Sequence, residues 1–368
     1  MSDNQSMTSK ERFLAAARLE PTDRVAVDYC TRNDVADNLV KLLNLEDVEA
    51  LYQKLGIDSR RFFIGEHIPE FVERANKTLG GKSQRSGAKY IFYDDGSYED
   101  AWGIVHRPSA DGKYDQWISG PYADSTDIEA FSWPSLDVIE SVESIKARFA
   151  PYIGKYAIIA TLNYPFKVCW QMRGLENFLC DMLDEEEFAS ALLNKAAEYE
   201  LEKALRAVRA GADVISFSGD IAMQDTMMVS VNAWRELDKP VFKKMIKAIK
   251  EENPDVLVYY HSDGNMELVI PDLIEIGVDI LNPVQPESMD VGDIYRKYAD
   301  KICLHGTISI QETLPKGTLK DVQAEVLHRM ALCEGKGGMI IAPANHVQND
   351  TPLENIIEIY KTAGSYQN

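Results

Sequence analysis

Long apolar runs are missing from this chain. Nowhere in its 368 residues do 18 apolar positions follow one another, so no segment reads as a bilayer-spanning helix. The opening residues, MSDNQSMTSK, are polar and carry no signal-peptide core. Positive charge is in short supply: 39 Lys plus Arg stand against 59 Asp plus Glu, a formal net charge of −20. Nucleic acid and anionic membrane are therefore not expected as partners, because phosphate binding requires a basic footprint. Cysteine is scarce and scattered. Cys30, Cys169, Cys180, Cys303 and Cys333 form no C-x-x-C pair, which fits reduced thiols and makes a cytoplasmic location the expectation. No G-x-G-x-x-G follows the first strand, and neither a P-loop nor a Ser-His-Asp or Cys-His nucleophile pattern is present.

What is present is an ordinary globular composition, 45% hydrophobic and 27% charged, with ample apolar surface for a core. Thr8 and Glu11 have capping-box spacing for a helix through about Leu19. RVAVDY (24–29) and SRRFFIGEH (59–67) read as strands, with helical patterns at about 34–43 and 46–55 between them. Residues 80–122 are rich in Gly, Tyr and Asp. AKYIFYDD and AWGIVHRP, separated by G-S-Y-E-D, predict a β-hairpin or small sheet inserted in the main pattern. From about 125 the alternation is regular. Strands at 156–162, 213–220, 256–261, 278–287, 301–307 and 337–346 alternate with helices at about 137–149, 185–210, 231–251, 267–276, 291–299, 318–334 and 353–363. Eight strands, each leading towards a helix, predict an α/β chain forming one (β/α)₈ TIM barrel over residues 1–368, with N-terminal helices and an insertion at about 80–122.

In such a barrel the strand C-termini converge on one mouth, where ligands and catalysis collect. The most telling stretch is VLVYYHSDGN (256–265): a buried strand stops at His261, and Asp263 precedes Gly264, which permits a tight turn. His-x-Asp supplies half a metal site or an acid/base pair; the plainer alternative is a strand-end histidine and a helix-capping aspartate. Other strand-end polar residues are Asp28, Tyr29, Glu66, Asn163, Tyr164, Ser218, Asp220, Asn282, Gln285, His305, Asn345, His346 and Gln348. Of these, Tyr29, Glu66, Asn163, Tyr164, Gln285, His305, Asn345 and Gln348 are candidate substrate contacts.

Several segments together resemble the uroporphyrinogen decarboxylase superfamily: TSKERFLAAARLEPTDRVAVD, D-A-W-G at 100–103, SGDIAMQ at 218–224, HSDGN at 261–265, DLIEIGVDILNPVQ at 272–285 and HVQNDTPLENI at 346–356. The resemblance runs over nearly the whole chain and implies a (β/α)₈ barrel. It also implies one of two chemistries: cofactor-free porphyrinogen decarboxylation, or zinc-dependent methyl transfer involving a corrinoid protein. The decarboxylases carry an F-R-Q-A-G-R-Y-L-P-E-F-R element near the N-terminus, whereas this chain has DYCTRNDVADNL, with Arg32 as its one basic residue. The decarboxylase aspartate that binds the pyrrole N–H groups falls near Gly65, and its late histidine near Asn345. The methyltransferase branch binds zinc through H-x-C and a later cysteine. Here those positions are His261, Asp263 and Asn345, with His346 beside the last. The resemblance thus implies a Zn²⁺ site of His261, Asp263 and His346, with Asp220 as a catalytic or supporting group. It also implies a small O- or N-methylated substrate, and a corrinoid supplied by a partner protein, because the D-x-H-x-x-G pattern of corrinoid carriers is absent. Loss of the metal, leaving His261 and Asp263 as an acid/base pair, is the alternative, alongside a barrel that binds a small molecule without catalysis. A homodimer is compatible with the sequence but not specified by it.

Charge separates the two branches. A porphyrinogen bearing many carboxylates requires several fixed cations, since each buried unpaired carboxylate costs on the order of several kcal/mol. Arg24 and Arg60 open their strands and should lie away from the mouth, and alternation sends at most one of Arg60 and Arg61 inward. The protein should therefore neither decarboxylate uroporphyrinogen nor bind its porphyrin tightly; turnover to coproporphyrinogen, followed by fluorescence, would overturn the charge argument.

Overall fold

The computed structural model describes residues 6–68, 82–84, 88–110, 115–334 and 336–367. Eight parallel strands form the main sheet: β1 (Ala26–Val27), β2 (Ser59–Phe63), β3 (Ala157–Asn163), β4 (Val214–Ser218), β5 (Leu257–His261), β6 (Ile280–Asn282), β7 (Cys303–His305) and β8 (Met339–Ile341). They lie in the order β1-β8-β7-β6-β5-β4-β3-β2, every pairing parallel. All eight fall where the sequence pattern puts them; β3 is shifted by one residue at equal length, and the others are shorter. Helices cover the outside, and the result is a (β/α)₈ barrel. Among the described residues no helix is long and apolar enough to cross a membrane.

Side chains alternate across the strands with period two. Ala157, Ile159, Val214, Leu257, Tyr259, Ile280, Cys303 and Ile340 form one buried cluster, while their neighbours Ile158, Ala160, Ile215, Val258 and Leu281 belong to a second cluster that includes the surrounding helices. Phe13, Ala16 and Ala17 join the first cluster. They sit on the helix Ser9–Ala17, whose N-terminus is held by a Thr8–Glu11 capping box. That helix closes the base of the barrel, so the first segment of the sequence is part of the interior.

Strands β1 and β2 end the sheet, and Asp58 joins them. Its N–H donates to the Val27 carbonyl (3.1 Å), and its carboxylate accepts from the Val27 N–H (3.0 Å). The same carboxylate takes Arg12 Nη1 (2.8 Å) and a bidentate pair from Arg24 (2.9 Å each). Asp58 is fully buried, so these donors replace the water it has lost.

Two regions differ from the sequence reading. The inserted sheet has five antiparallel strands, at 82–84, 88–92, 98–99, 105–108 and 115–119. Of the two expected forms, hairpin or small sheet, the small sheet is present: Tyr98–Glu99, read as turn, forms the strand between the other two. A tight turn at 94–97, closed by Tyr93 N–H donating to the Ser97 carbonyl (2.9 Å), frees those residues to extend. Residues 80, 81, 85–87 and 111–114 of the expected insertion lie outside the described residues. Two helices, Pro165–Arg173 and Leu175–Asp184, were not evident from the pattern. Their aromatic and β-branched residues, as in PFKVCW, suit a strand equally well, and Gly174 interrupts the helical period.

Removing the seam carboxylate leaves two arginines facing a buried void. Asp58→Ala should lower the unfolding free energy by about 3–5 kcal/mol, measured by denaturant titration; a loss within about 0.5 kcal/mol, the scale of an ordinary surface change, would show that the seam closes without it.

Candidate metal and active site

Parallel register brings the strand ends level. His261 pairs with Ser218 on one side and Asn282 on the other, and Asn163 pairs with Ser218. All four have inward parity at the C-terminal edge. Beneath them Asp28 is buried at the end of β1. Burial favours its neutral form, but the hydrogen bond from His305, the Arg61 guanidinium and the Ser59 hydroxyl outweigh it and hold the carboxyl well below its ordinary value. Asp28 is thus an anion that only accepts.

That fixes the next three groups in turn. His305 Nε2 lies 3.0 Å from Asp28 Oδ2, so Nε2 carries the proton and Nδ1 offers a lone pair. Burial keeps His305 neutral, prevailing over the pull of Asp28. Asn282 Nδ2 donates to His305 Nδ1 (2.8 Å), which sets the orientation of its amide. Asn282 Oδ1 then lies 2.6 Å from His261 Nδ1. An amide oxygen only accepts, so His261 bears its proton on Nδ1 and presents the Nε2 lone pair to the mouth.

Around that lone pair stand two carboxylates. One ligand atom from each of Asp220, His261 and Asp263 lies within 4.8 Å of the others, the only such group of three or more among the described residues. The Asp263 N–H donates to Asp220 Oδ1 (2.8 Å). Asn345 Nδ2 donates to Asp263 Oδ2. Asp263 Oδ1 is buried and has no hydrogen-bond partner among the described residues. Burial pushes the Asp263 carboxyl above its ordinary value; His261 opposes the rise and Asp220 adds to it. The backbone is built for this approach. Gly264 has φ +88°, and a Cβ there would lie 2.3 Å from the Met223 carbonyl oxygen; its N–H donates to Gln285 Oε1 (2.7 Å). A Cβ on Gly219 would lie 2.8 Å from Lys167 Cβ, so glycine lets the helix 165–173 pack against the loop carrying Asp220. An imidazole lone pair with two carboxylates, one holding a buried oxygen without a donor, fits a divalent cation such as Zn²⁺.

Residues 121–366 match the family described as Uroporphyrinogen decarboxylase (URO-D). The chain belongs to the uroporphyrinogen decarboxylase family. It is 26% identical over 145 residues to the uroporphyrinogen decarboxylase of Chlorobium phaeobacteroides, covering 39% of this chain and 38% of that one. With the enzyme of Chlorobium luteolum the figures are 25% over 194 residues and 52% of each. The chain thus spans about two fifths to half the length of these curated relatives. The fold is shared with a methyltransferase from Methanosarcina mazei (TM-score 0.71, 19% identity, 98% of this chain and 99% of that one). It is shared more distantly with a B12-independent methionine synthase from Shewanella sp. W3-18-1 (TM-score 0.51, 14% identity, 94% and 96%).

Within this family frame the expected site residues divide. His346 is exposed, its Nδ1 3.1 Å from Asn345 Oδ1, and it is not in the cluster. Asp220, expected as a catalytic or supporting group, stands in the cluster itself. Asn345 and Gln285 brace Asp263 and Gly264, and His305 is the relay histidine. Asn163 reaches the rim, its N–H donating to Glu200 Oε2 (3.0 Å). Gln348 accepts from Arg32 (3.4 Å). Three expected substrate contacts are otherwise engaged. Tyr164 is wholly buried, donating to Asp238 Oδ1 (2.9 Å). Glu66 accepts from Trp102 Nε1 (2.6 Å) and pairs with Lys203 (2.9 Å). Tyr29 packs on Tyr52, ring centroids 5.0 Å apart. Sequence reasoning missed the relay role of Asp28 and Asn282, although their strand-end positions were visible. It also passed over Lys167, which shows no ion pair among the described residues and sits in the field of Asp220 and Glu200.

Asn282 is the link whose loss frees His261 to rotate or change tautomer. Asn282→Ala should weaken Zn²⁺ binding by about 10–100-fold while the fold persists, read by chelator competition and a thermal melt; unchanged affinity would show that the relay does not set the ligand.

Proposed function

We propose that this protein is a methyltransferase that moves a methyl group from a small O- or N-methylated substrate to a corrinoid on a separate protein, acting in the cytoplasm with a divalent metal, Zn²⁺, at Asp220, His261 and Asp263. The observation that carries this reading is the His261 Nε2 lone pair, oriented from Asp28 and facing two carboxylates. The methyltransferase from Methanosarcina mazei that shares the fold over nearly its whole length is in keeping with it.

When bound, the metal supplies Lewis acidity towards a donor heteroatom. The chain's own groups do the rest. Asn282 and His305 hold the imidazole in one tautomer. Asn345 and the Asp263–Asp220 contact keep both carboxylates turned to the same point. Imidazole and carboxylate are harder donors than thiolates and leave a metal more Lewis acidic. That suits activation of a methyl ether or methylamine better than activation of a thiol.

The charge pattern speaks against the decarboxylase alternative. Arg12 and Arg24 are bound to Asp58, Arg32 to Asp34, Arg60 to Glu49, Arg61 to Asp28 and Arg173 to Asp181. Each of these arginines already neutralises an acid, which leaves little for a polyanionic substrate.

His261→Ala should abolish stoichiometric zinc and methyl transfer while leaving the melting profile intact, because this strand-end side chain adds little to the core. Elemental analysis reads the first effect. The second is read by methylation of cob(I)alamin across a panel of methoxy-aromatics, methylamines and betaines. Full zinc content in the variant, or no methylcobalamin from any donor with the wild-type protein, would reject the reading. If Asp263→Ala retains zinc but loses activity, Asp263 acts as an acid or base and not as a ligand.

A further inference from the structure

The inserted sheet and the helix 165–173 enclose a second cavity, of about 290 Å³, away from the metal cluster: none of Asp220, His261 and Asp263 lines it. Its walls are Tyr90, Tyr98, Trp117 and Trp170, with the carboxylates of Asp100 and Asp115. Among the described residues no lysine or arginine lines it. We propose that this cavity binds a quaternary or tertiary methylammonium group.

Three features point to that chemistry. Four aromatic side chains line one space, and two of them are held against each other: Tyr90 is edge-on to Tyr98 (centroids 4.9 Å, 75°), while Tyr98 also stacks on His106 (5.4 Å, 27°). Aromatic rings lining a space attract a cation through their quadrupoles, most effectively a weakly hydrated one whose charge is spread over methyl groups. The two acids add fixed negative charge and would repel any anion. Asp100 Oδ1 is taken by the N–H groups of Trp102 and Ile104 (2.9 and 3.1 Å), which holds the carboxylate in place. Small metal ions fit poorly, since Asp100, His106 and Asp115 do not come together as a metal-sized cluster. The cavity is also built before any ligand arrives. Trp117 Nε1 donates to the Gln171 carbonyl (2.6 Å), and a Cβ on Gly174 would lie 2.9 Å from the Trp117 ring. The insertion is therefore locked to the helix that carries Trp170.

The test is binding without turnover, so its outcome is separate from that of the methyl-transfer reading. Tetramethylammonium chloride is titrated into the full chain by calorimetry and tryptophan fluorescence at constant ionic strength, against 2,2-dimethylpropan-1-ol as the neutral analogue of similar shape. Saturable binding with at least about a 10-fold preference for the cation is expected, falling about 10-fold in Tyr98→Leu and several-fold in Asp115→Asn. Asp115 is exposed, so Asp115→Asn decides the matter if Tyr98→Leu disturbs the insertion. Equal affinity for the neutral alcohol, no saturable binding, or affinity unchanged in Asp115→Asn would overturn the proposal.

Discussion

A carboxylate stripped of water must be surrounded by donors, and the geometry of this barrel's mouth follows from meeting that demand at Asp28. Ser59, Arg61 and His305 all turn towards it. Ser59 and Arg61 come from β2 and His305 from the end of β7, so satisfying one buried anion also fixes the inner faces of β2 and β7 relative to β1. Because His305 spends its proton on Asp28, its other nitrogen must accept. Asn282 must then donate, and His261 must be protonated on the side away from the solvent. One charge thus sets a proton position three residues away through alternating donors and acceptors.

The same rule attaches the insertion. Lys203 is buried on the long helix Glu186–Ala210 between Glu66 and Glu200, 2.9 Å from each. Glu66 also accepts from Trp102 of the inserted sheet, and Glu200 accepts from the N–H of Asn163 at the rim. A single buried ammonium therefore joins the loop after β2, the insertion and the end of β3. Removing any one of these groups would strand the others without water.

The candidate site is acidic where a thiolate-rich metal site would be soft. Two carboxylates meet one imidazole, and the nearby cations are mostly committed to other acids. Such a site holds its charge in tension until a cation enters it, and the metal it would hold is a stronger electrophile than one bound by sulfur. This difference lies in a few side chains on a fold that several chemistries use.

Much of this was legible in the chain itself. Continuous apolar runs ending in polar residues announced eight strands and their mouth, and His261-x-Asp263 before Gly264 marked the turn that carries two of the three cluster residues. Alternation allowed at most one of Arg60 and Arg61 to face inward; Arg61 does, reaching Asp28, and Arg60 turns out to Glu49. These features are local, and local sterics and burial write them into the spacing of residues. The partner of His261 and Asp263 was not legible, because Asp220 and His346 both stand at strand ends and only the tertiary structure brings one of them within reach. Nor could the sequence say that Tyr164 faces the core, that Tyr98 and Glu99 extend within an apparent turn, or that Asp28, 233 residues before His261, governs its proton. Those outcomes depend on which groups become neighbours when eight strands close, and on how each buried charge there finds its donors.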